Sequence, residues 1–163
     1  MKRTFTLALA ALAGISTASL AQTFEPYGEA GGWRVLANTK MQGCLLEKRM
    51  QDNIDLQIGI NKVDTRGYLA IFAPASLGIS PEGGSMMLDV DGESYTGTAV
   101  DIERPDYVGG YFWFNNPDFI YDLENKNTLT LMVEGRDPIA ISLEGTKAGA
   151  AAVRECQEAR FGS

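Results

Sequence analysis

The amino-acid sequence predicts a mainly β protein, an antiparallel β-sandwich or flattened barrel of about eight strands with a short helix and a C-terminal helix. Short runs of β-branched and aromatic residues recur at roughly ten-residue intervals, separated by Gly, Pro, Asn and Asp, which is the rhythm of many short strands. An Asp91-Gly92 pair between two such runs marks a tight hairpin. After Thr146 the pattern changes to an Ala-rich stretch with helical spacing.

The first 21 residues read as a secretion signal. Lys2 and Arg3 form a basic start, an apolar run extends from Phe5 to Ala13, and small residues end at Ser19-Leu20-Ala21 before Gln22. The apolar run is broken by Gly14 and Ser16, short of the roughly 20 residues a membrane-spanning helix needs. No cysteine follows it to carry a lipid. Cleavage after Ala21 is therefore expected over retention as an anchor, leaving a single β-rich domain over residues 22–163 in a periplasm or outside the cell.

The mature domain has 142 residues (163 minus 21), long enough for one core that buries about two-thirds of its unfolded surface. Of 14 Lys and Arg, 12 remain against 21 Asp and Glu, a net charge of −9. That balance argues against nucleic acid and anionic lipid headgroups, both of which require clustered Lys and Arg. The acidic excess fits solubility and allows a basic partner.

The strands follow in order. Trp33-Arg34-Val35-Leu36 opens, Lys40 to Gly43 connects, and Cys44-Leu45-Leu46 follows. In Ile54 to Ile60 every second residue is apolar, which predicts a half-buried strand with Ile54, Leu56, Ile58 and Ile60 toward the core. Arg66-Gly67 turns into Tyr68-Leu69-Ala70-Ile71-Phe72, and Pro74 to Gly84, with two prolines and three glycines, reads as loop. Met86 to Val90 and Glu93 to Val100 flank the Asp-Gly turn. Tyr111-Phe112-Trp113-Phe114 forms a further strand after Gly109-Gly110, and Asn116-Pro117 offers the start of a short helix carrying Phe119, Ile120 and Leu123. Thr128 to Val133 and Ile139 to Leu143 make a second hairpin across Gly135 to Pro138. Thr146 is the expected cap of the last helix, which runs to about Ala159 and places Gly149, Ala152, Val153 and Cys156 on one side.

Cys44 and Cys156 are the only cysteines, and an exported context predicts their pairing. The loop they close is roughly 100 residues or a little more, for which the chain-entropy relation gives about 4 to 5 kcal/mol. No Cys-x-x-Cys motif is present, and no histidine stands by to lower a thiol pKa.

The absence of histidine shapes the functional expectation. It removes Ser-His-Asp and Cys-His catalysis, the usual zinc sites and most general-base chemistry near neutral pH, and leaves carboxylates, lysine, tyrosine and serine. No catalytic residue, metal site or cofactor is assigned. Asp89, Asp91 and Glu93 superficially match a calcium loop, but the required downstream glycine and twelfth-position glutamate are out of register. Met41, Met50, Met86 and Met87 lack the spacing of a copper site and read as packing or surface methionine.

The most functional stretch is aromatic. Tyr107, Tyr111, Phe112, Trp113, Phe114, Phe119 and Tyr121 crowd together, and strand alternation prevents Tyr111 and Trp113 from sharing a face with Phe112 and Phe114. One pair belongs to the core, while the other lies at a surface or under the following helix. The candidate binding surface is Tyr107, Tyr111 and Trp113 with their acidic neighbours Asp101, Glu103 and Asp106, a platform for a sugar ring, peptide or protein.

A signal peptide, an early Gly-Trp-Arg-Val strand around Trp33, Cys44, alternating strands, and Gly145-Thr146 leading into an Ala-rich helix with Cys156 resemble small secreted alphaproteobacterial proteins of the invasion-associated locus B kind. The resemblance implies a secreted β-sandwich without established catalysis and carries over no functional residue. The expected function is a periplasmic binding or protein-interaction module whose partner is another periplasmic or envelope protein. The alternatives are a carboxylate-dependent cell-wall sugar hydrolase and a structural envelope protein.

Export and oxidation are checked together on protein recovered from the periplasm. Mass spectrometry should place the N-terminus at Gln22, and a thiol-alkylating reagent should add no mass until the sample is reduced. Two alkylated cysteines before reduction would remove the disulfide.

Overall fold

In a computed structural model the chain is described over residues 23–77, 85–100, 106–132 and 137–162. The strands are β1 (Phe24–Ala30), β2 (Trp33–Asn38), β3 (Gly43–Arg49), β4 (Asp55–Asn61), β5 (Arg66–Pro74), β6 (Ser85–Val90), β7 (Glu93–Val100), β8 (Tyr107–Phe114), β9 (Thr128–Met132) and β10 (Ile139–Ser142). The helices are α1 (Phe119–Asp122) and α2 (Thr146–Phe161). The signal segment and most of the Pro74 to Gly84 loop lie outside the described residues.

The expected β-sandwich architecture is present. All neighbouring strands are antiparallel in the order β1-β2-β3-β4-β5-β8-β7-β6-β9-β10. Six strands and four strands form two layers that do not close into a barrel. They are joined where Thr98 to Val100 of β7 pair with Tyr111 to Gly109 of β8. Their inner faces share one core. The first layer contributes Leu56, Ile58, Leu69, Ile71 and Phe112, and the second contributes Met86, Leu88, Leu129, Leu131 and Ile141.

Several elements match the sequence expectation in detail. Asp91 and Gly92 both have positive φ, 51° and 92°, as a type I′ turn requires. The apolar residues of β4 face the core, but the strand is buried on both sides: Asp55, Gln57 and Gly59 are covered as well as Leu56, Ile58 and Ile60. The half-buried expectation is corrected because β4 sits inside the sheet beneath neighbours that cover its polar face. The added strand, β1, escaped sequence reading because it has no alternation. It is an edge strand with Pro26 and a bulge at Tyr27, devices that discourage further strand pairing.

Helix α2 packs along β1, β2 and β3 on the inner face. Gly149 permits this proximity, since a Cβ there would lie 2.8 Å from a Leu46 methyl. The expected disulfide joins Cys44 of β3 to Cys156 of α2, across 112 positions of sequence, and both cysteines are fully buried. Beside it the Gln157 side chain accepts from the Cys44 N–H at 2.9 Å and donates to the Gln42 carbonyl at 3.2 Å.

At the other end of α2 the residue that caps the helix is Gly145, not Thr146. Its φ of +83° is one that side chains rarely tolerate, and Gly31 of the β1–β2 turn lies directly against it. Thr146 is instead buried, with its hydroxyl donating to the Leu143 carbonyl at 2.5 Å. Trp33 is buried next to this contact, its indole N–H donating to the Glu144 carbonyl at 3.0 Å, with the Lys48 ammonium 5.1 Å from the ring centroid. Trp33, Cys44, Gly145 and Cys156 thus fasten α2 to the sheet.

The Gly31–Gly145 contact has a measurable consequence. A Cβ on Gly145 would sit 1.8 Å from the Gly31 carbonyl oxygen. Gly145→Ala should therefore cost about 3 kcal/mol or more in urea unfolding, combining backbone strain with overpacking. Gly28→Ala, which meets nothing within 4 Å, should change stability by no more than about 0.5 kcal/mol. Equal effects would show that the contact does not constrain the fold.

Candidate functional site

Helix α2 and the four-stranded layer cover one face of the six-stranded layer, and among the described residues no element packs on the other. This outer face takes the opposite set of residues from each strand. Phe112 and Phe114 of β8 enter the core, while Tyr111 and Trp113 turn outward. The alternation read from sequence is correct, and the outward pair is the tyrosine and tryptophan.

Their rings stack on each other, with centroids 5.3 Å apart and planes 14° apart. Trp113 is 40% exposed, a large fraction for tryptophan. Behind them lies an aromatic support that the sequence reading did not include. Tyr68 is 5.9 Å from Tyr111 and 5.7 Å from Trp113, and Phe72 meets Tyr111 edge-on at 5.6 Å. Tyr68 lies across Gly59, where a Cβ would come within 2.7 Å of its hydroxyl, and Phe72 lies across Gly109 in the same way. Missing side chains on one strand are therefore filled by rings from the next.

Tyr107 packs at the edge of this cluster. Asp106, just before β8, is exposed, with φ of 70°, and its carbonyl accepts from the Ala75 N–H at 2.7 Å. Asp101 and Glu103 lie outside the described residues. Of the proposed surface, Tyr107, Tyr111 and Trp113 share one face, and Asp106 lies at its margin.

The same face carries a polar lattice over β2, β3 and β4. Arg34 donates to Glu47 at 2.6 Å, and Gln57 donates to the second Glu47 oxygen at 2.8 Å. Arg49 grips both oxygens of Asp55, at 2.7 and 2.9 Å. The Asp55 hydrogen bonds and charge raise the Arg49 guanidinium pKa still further, so Arg49 stays charged beside Asp55. Arg34, Glu47, Arg49 and Asp55 line a depression of about 360 Å³. The lattice was missed because its members come from three strands and meet only through register. The visible trace was the placement of Asp55 and Gln57 opposite the isoleucines of β4.

A larger cleft of about 680 Å³ lies between α2, the start of α1 and the β4–β5 turn. Its wall contains Tyr121 with the Arg154 guanidinium 4.1 Å above the ring, and Arg154 also pairs with Glu124. Lys62 closes one end by donating to the Gly162 carbonyl at 2.8 Å. Its cations are thus occupied by the protein itself.

The residues considered for calcium are engaged around their hairpin. Asp89 accepts from the Gly92 N–H at 3.1 Å, Glu93 accepts from the Tyr95 hydroxyl at 2.8 Å, and Lys126 approaches Asp91 at 3.8 Å. Among the described residues no group of three or more acidic or cysteine side chains is arranged to hold a metal. Met86 is buried and Met87 exposed, on opposite faces of β6.

No protein-family model matches the chain, and no curated protein or solved structure is significantly similar to it. No helix among the described residues is long and apolar enough to cross a membrane.

The tyrosines give the site a pH signature. Burial raises the pKa of Tyr68 and Tyr111, and burial with the Glu93 hydrogen bond pushes Tyr95 up to about 12. Each folded value exceeds the unfolded value near 10, so the associated stability is intact below about pH 10 and is lost as pH rises through the folded values. The melting temperature should hold to about pH 10 and fall steadily above it. Tyr68→Phe should flatten that fall; an unchanged slope would remove Tyr68 as a source.

Proposed function

We propose that the protein is a binding module that works outside the cytoplasm, in a periplasm or after secretion, and engages its partner through the outer face of the six-stranded layer. One observation carries the reading. The stacked Tyr111–Trp113 pair is held in place by Tyr68 and Phe72 on a sheet face with no covering element among the described residues. Rigid aromatic rings supply large contact area at little entropic cost, and buried Trp, Tyr and Arg anchors dominate binding energy at interfaces. The buried Cys44–Cys156 disulfide supports an oxidising location. The resemblance to invasion-associated locus B proteins fits the same reading at the level of architecture.

A second reading, a carboxylate-dependent hydrolase of cell-wall sugars, draws on Glu47 and Asp55. They are diagonal neighbours across β3 and β4, a placement that puts Cβ atoms about 7–8 Å apart. The chemistry favours the first reading. All four carboxylate oxygens already accept hydrogen bonds from Arg34, Gln57 or Arg49, which leaves neither acid positioned to give or take a proton. A purely structural envelope role would not require the supported aromatic pair.

The test is capture from periplasmic extract with the mature protein as bait. Trp113→Ala should reduce specific capture at least tenfold while leaving the melting temperature within a few degrees of the parent. Unchanged capture by a folded Trp113→Ala variant would eliminate the outer face as the binding surface.

A further inference from the structure

We infer that the free edge of β10 is a strand-addition site for an extended, basic segment of another protein. The segment pairs as the next strand of the four-stranded layer, on a different surface from the one that carries Tyr111 and Trp113.

Strand β10 ends the strand order and has one partner, β9. In an antiparallel pair, residues whose N–H and C=O bond the partner alternate with residues whose N–H and C=O point away from it. One hydrogen bond sets that alternation here. The Leu143 N–H donates to the Asn127 carbonyl at 2.9 Å, one step beyond the Ser142–Thr128 pair. Leu143, Ile141 and Ile139 therefore bond toward β9, and Ala140 and Ser142 direct their backbone groups to the open edge. Both are exposed, and among the described residues neither backbone has a partner on that side. Pro138, the preceding position in the same alternation, has no N–H and ends the row of donors.

The two ends of the strand order are guarded differently. Strand β1 carries Pro26 and a bulge. On β10 the side chains at the outward positions are those of Ala140 and Ser142, too small to screen the backbone, and no charged residue lies on the strand. Beside it is a depression of about 340 Å³, lined by the β10 residues and by Met50, Gln51, Asp52 and Ile54 of the β3–β4 connection. Among the described residues none of β9 lines it, so it borders β10 on the side away from its partner. In strand addition, an open edge bonds the main chain of the incoming segment and an adjoining depression receives alternate side chains.

Charge selects the segment. Asp52 in the depression, Asp137 before the strand and Glu144 after it are exposed, and among the described residues none of their side chains forms an ion pair. The cations of β3 are already engaged, Arg49 by Asp55 and Lys48 by the Glu144 carbonyl and the Trp33 ring. A lysine or arginine on the incoming strand meets carboxylates without a counter-charge, whereas an acidic segment is repelled. The same charges oppose a second copy of this chain. Antiparallel pairing of two β10 edges sets Asp137 of each copy toward Glu144 of the other.

The mature protein is titrated by calorimetry with a blocked heptapeptide of alternating lysine and valine, and with its counterpart carrying glutamate for lysine. The lysine peptide should bind, less tightly at high salt, and the glutamate peptide should bind at least tenfold more weakly. Amide hydrogen exchange reads the geometry directly. In the free protein Ala140 and Ser142 should exchange faster than Ile139, Ile141 and Leu143, and the lysine peptide should slow the first two alone. Ala140→Pro removes an outward donor without touching the β9 ladder, so it should reduce binding at least tenfold with the melting temperature within a few degrees of the parent. The Asp52→Asn, Asp137→Asn double variant should also weaken binding and lose much of its salt dependence. If Ala140→Pro does not fold, the exchange pattern of the parent protein decides alone. Absence of binding by the lysine peptide, full binding by folded Ala140→Pro, or unaltered exchange at Ala140 and Ser142 in the complex overturns the site. Equal binding of the glutamate peptide overturns the charge selection. Dimers that form with rising concentration and are abolished by Ala140→Pro assign the edge to a second copy and overturn the basic partner.

Discussion

The outer face exists because helix α2 lies so close to β2 and β3. A six-stranded layer has two sides, and this chain devotes its helix and four-stranded layer to the same one. Gly149 lets the helix reach Leu46, the Cys44–Cys156 bond fastens its middle, and the Gly31–Gly145 backbone contact fixes its start. Arg160 adds an ion pair with Glu25 of β1 near the other end, at 3.3 Å. The inner side is thereby covered over β1, β2 and β3, and among the described residues no element packs on the opposite side.

The side chains of this outer face largely cover one another. Tyr68 is only 1% exposed even though it belongs to the outer face, because it lies over Gly59 between Tyr111, Trp113 and the leucines of β2 and β3. Asn38 hydrogen-bonds its hydroxyl, so the polar end is satisfied as well. On the β2–β4 half, ion pairs replace rings. In the Arg34–Glu47 and Arg49–Asp55 pairs the arginines are more than half exposed while the carboxylates are only 20% and 10% exposed, and the contacts fix the side-chain positions on this half of the face. The face is thus rigid over both its apolar and its polar halves.

The parts legible in the sequence were those governed by local rules. The Asp91-Gly92 turn, the inward isoleucines of β4 and the split of Tyr111 and Trp113 from Phe112 and Phe114 all follow from alternation or turn chemistry within one segment. The disulfide followed from there being only two cysteines. Strand β1 was invisible because an edge strand with a proline and a bulge has no periodic signature. Thr146 looked like a cap because of its residue type, yet a helix start pressed against Gly31 required the left-handed backbone of Gly145. The aromatic support and the polar lattice were hidden for a different reason. Tyr68 and Trp113, like Arg49 and Asp55, are brought side by side by strand register, which no single segment encodes.

The fastening of α2 also determines when the molecule can become itself. Cys44 waits for a partner 112 positions later, Trp33 donates to a carbonyl 111 positions away, and Glu25 pairs across 135 positions. The three N-terminal strands have no inner cover until the final helix has been made, so the earliest part of the domain to be synthesised is among the last to be completed. Such long-range closure slows folding.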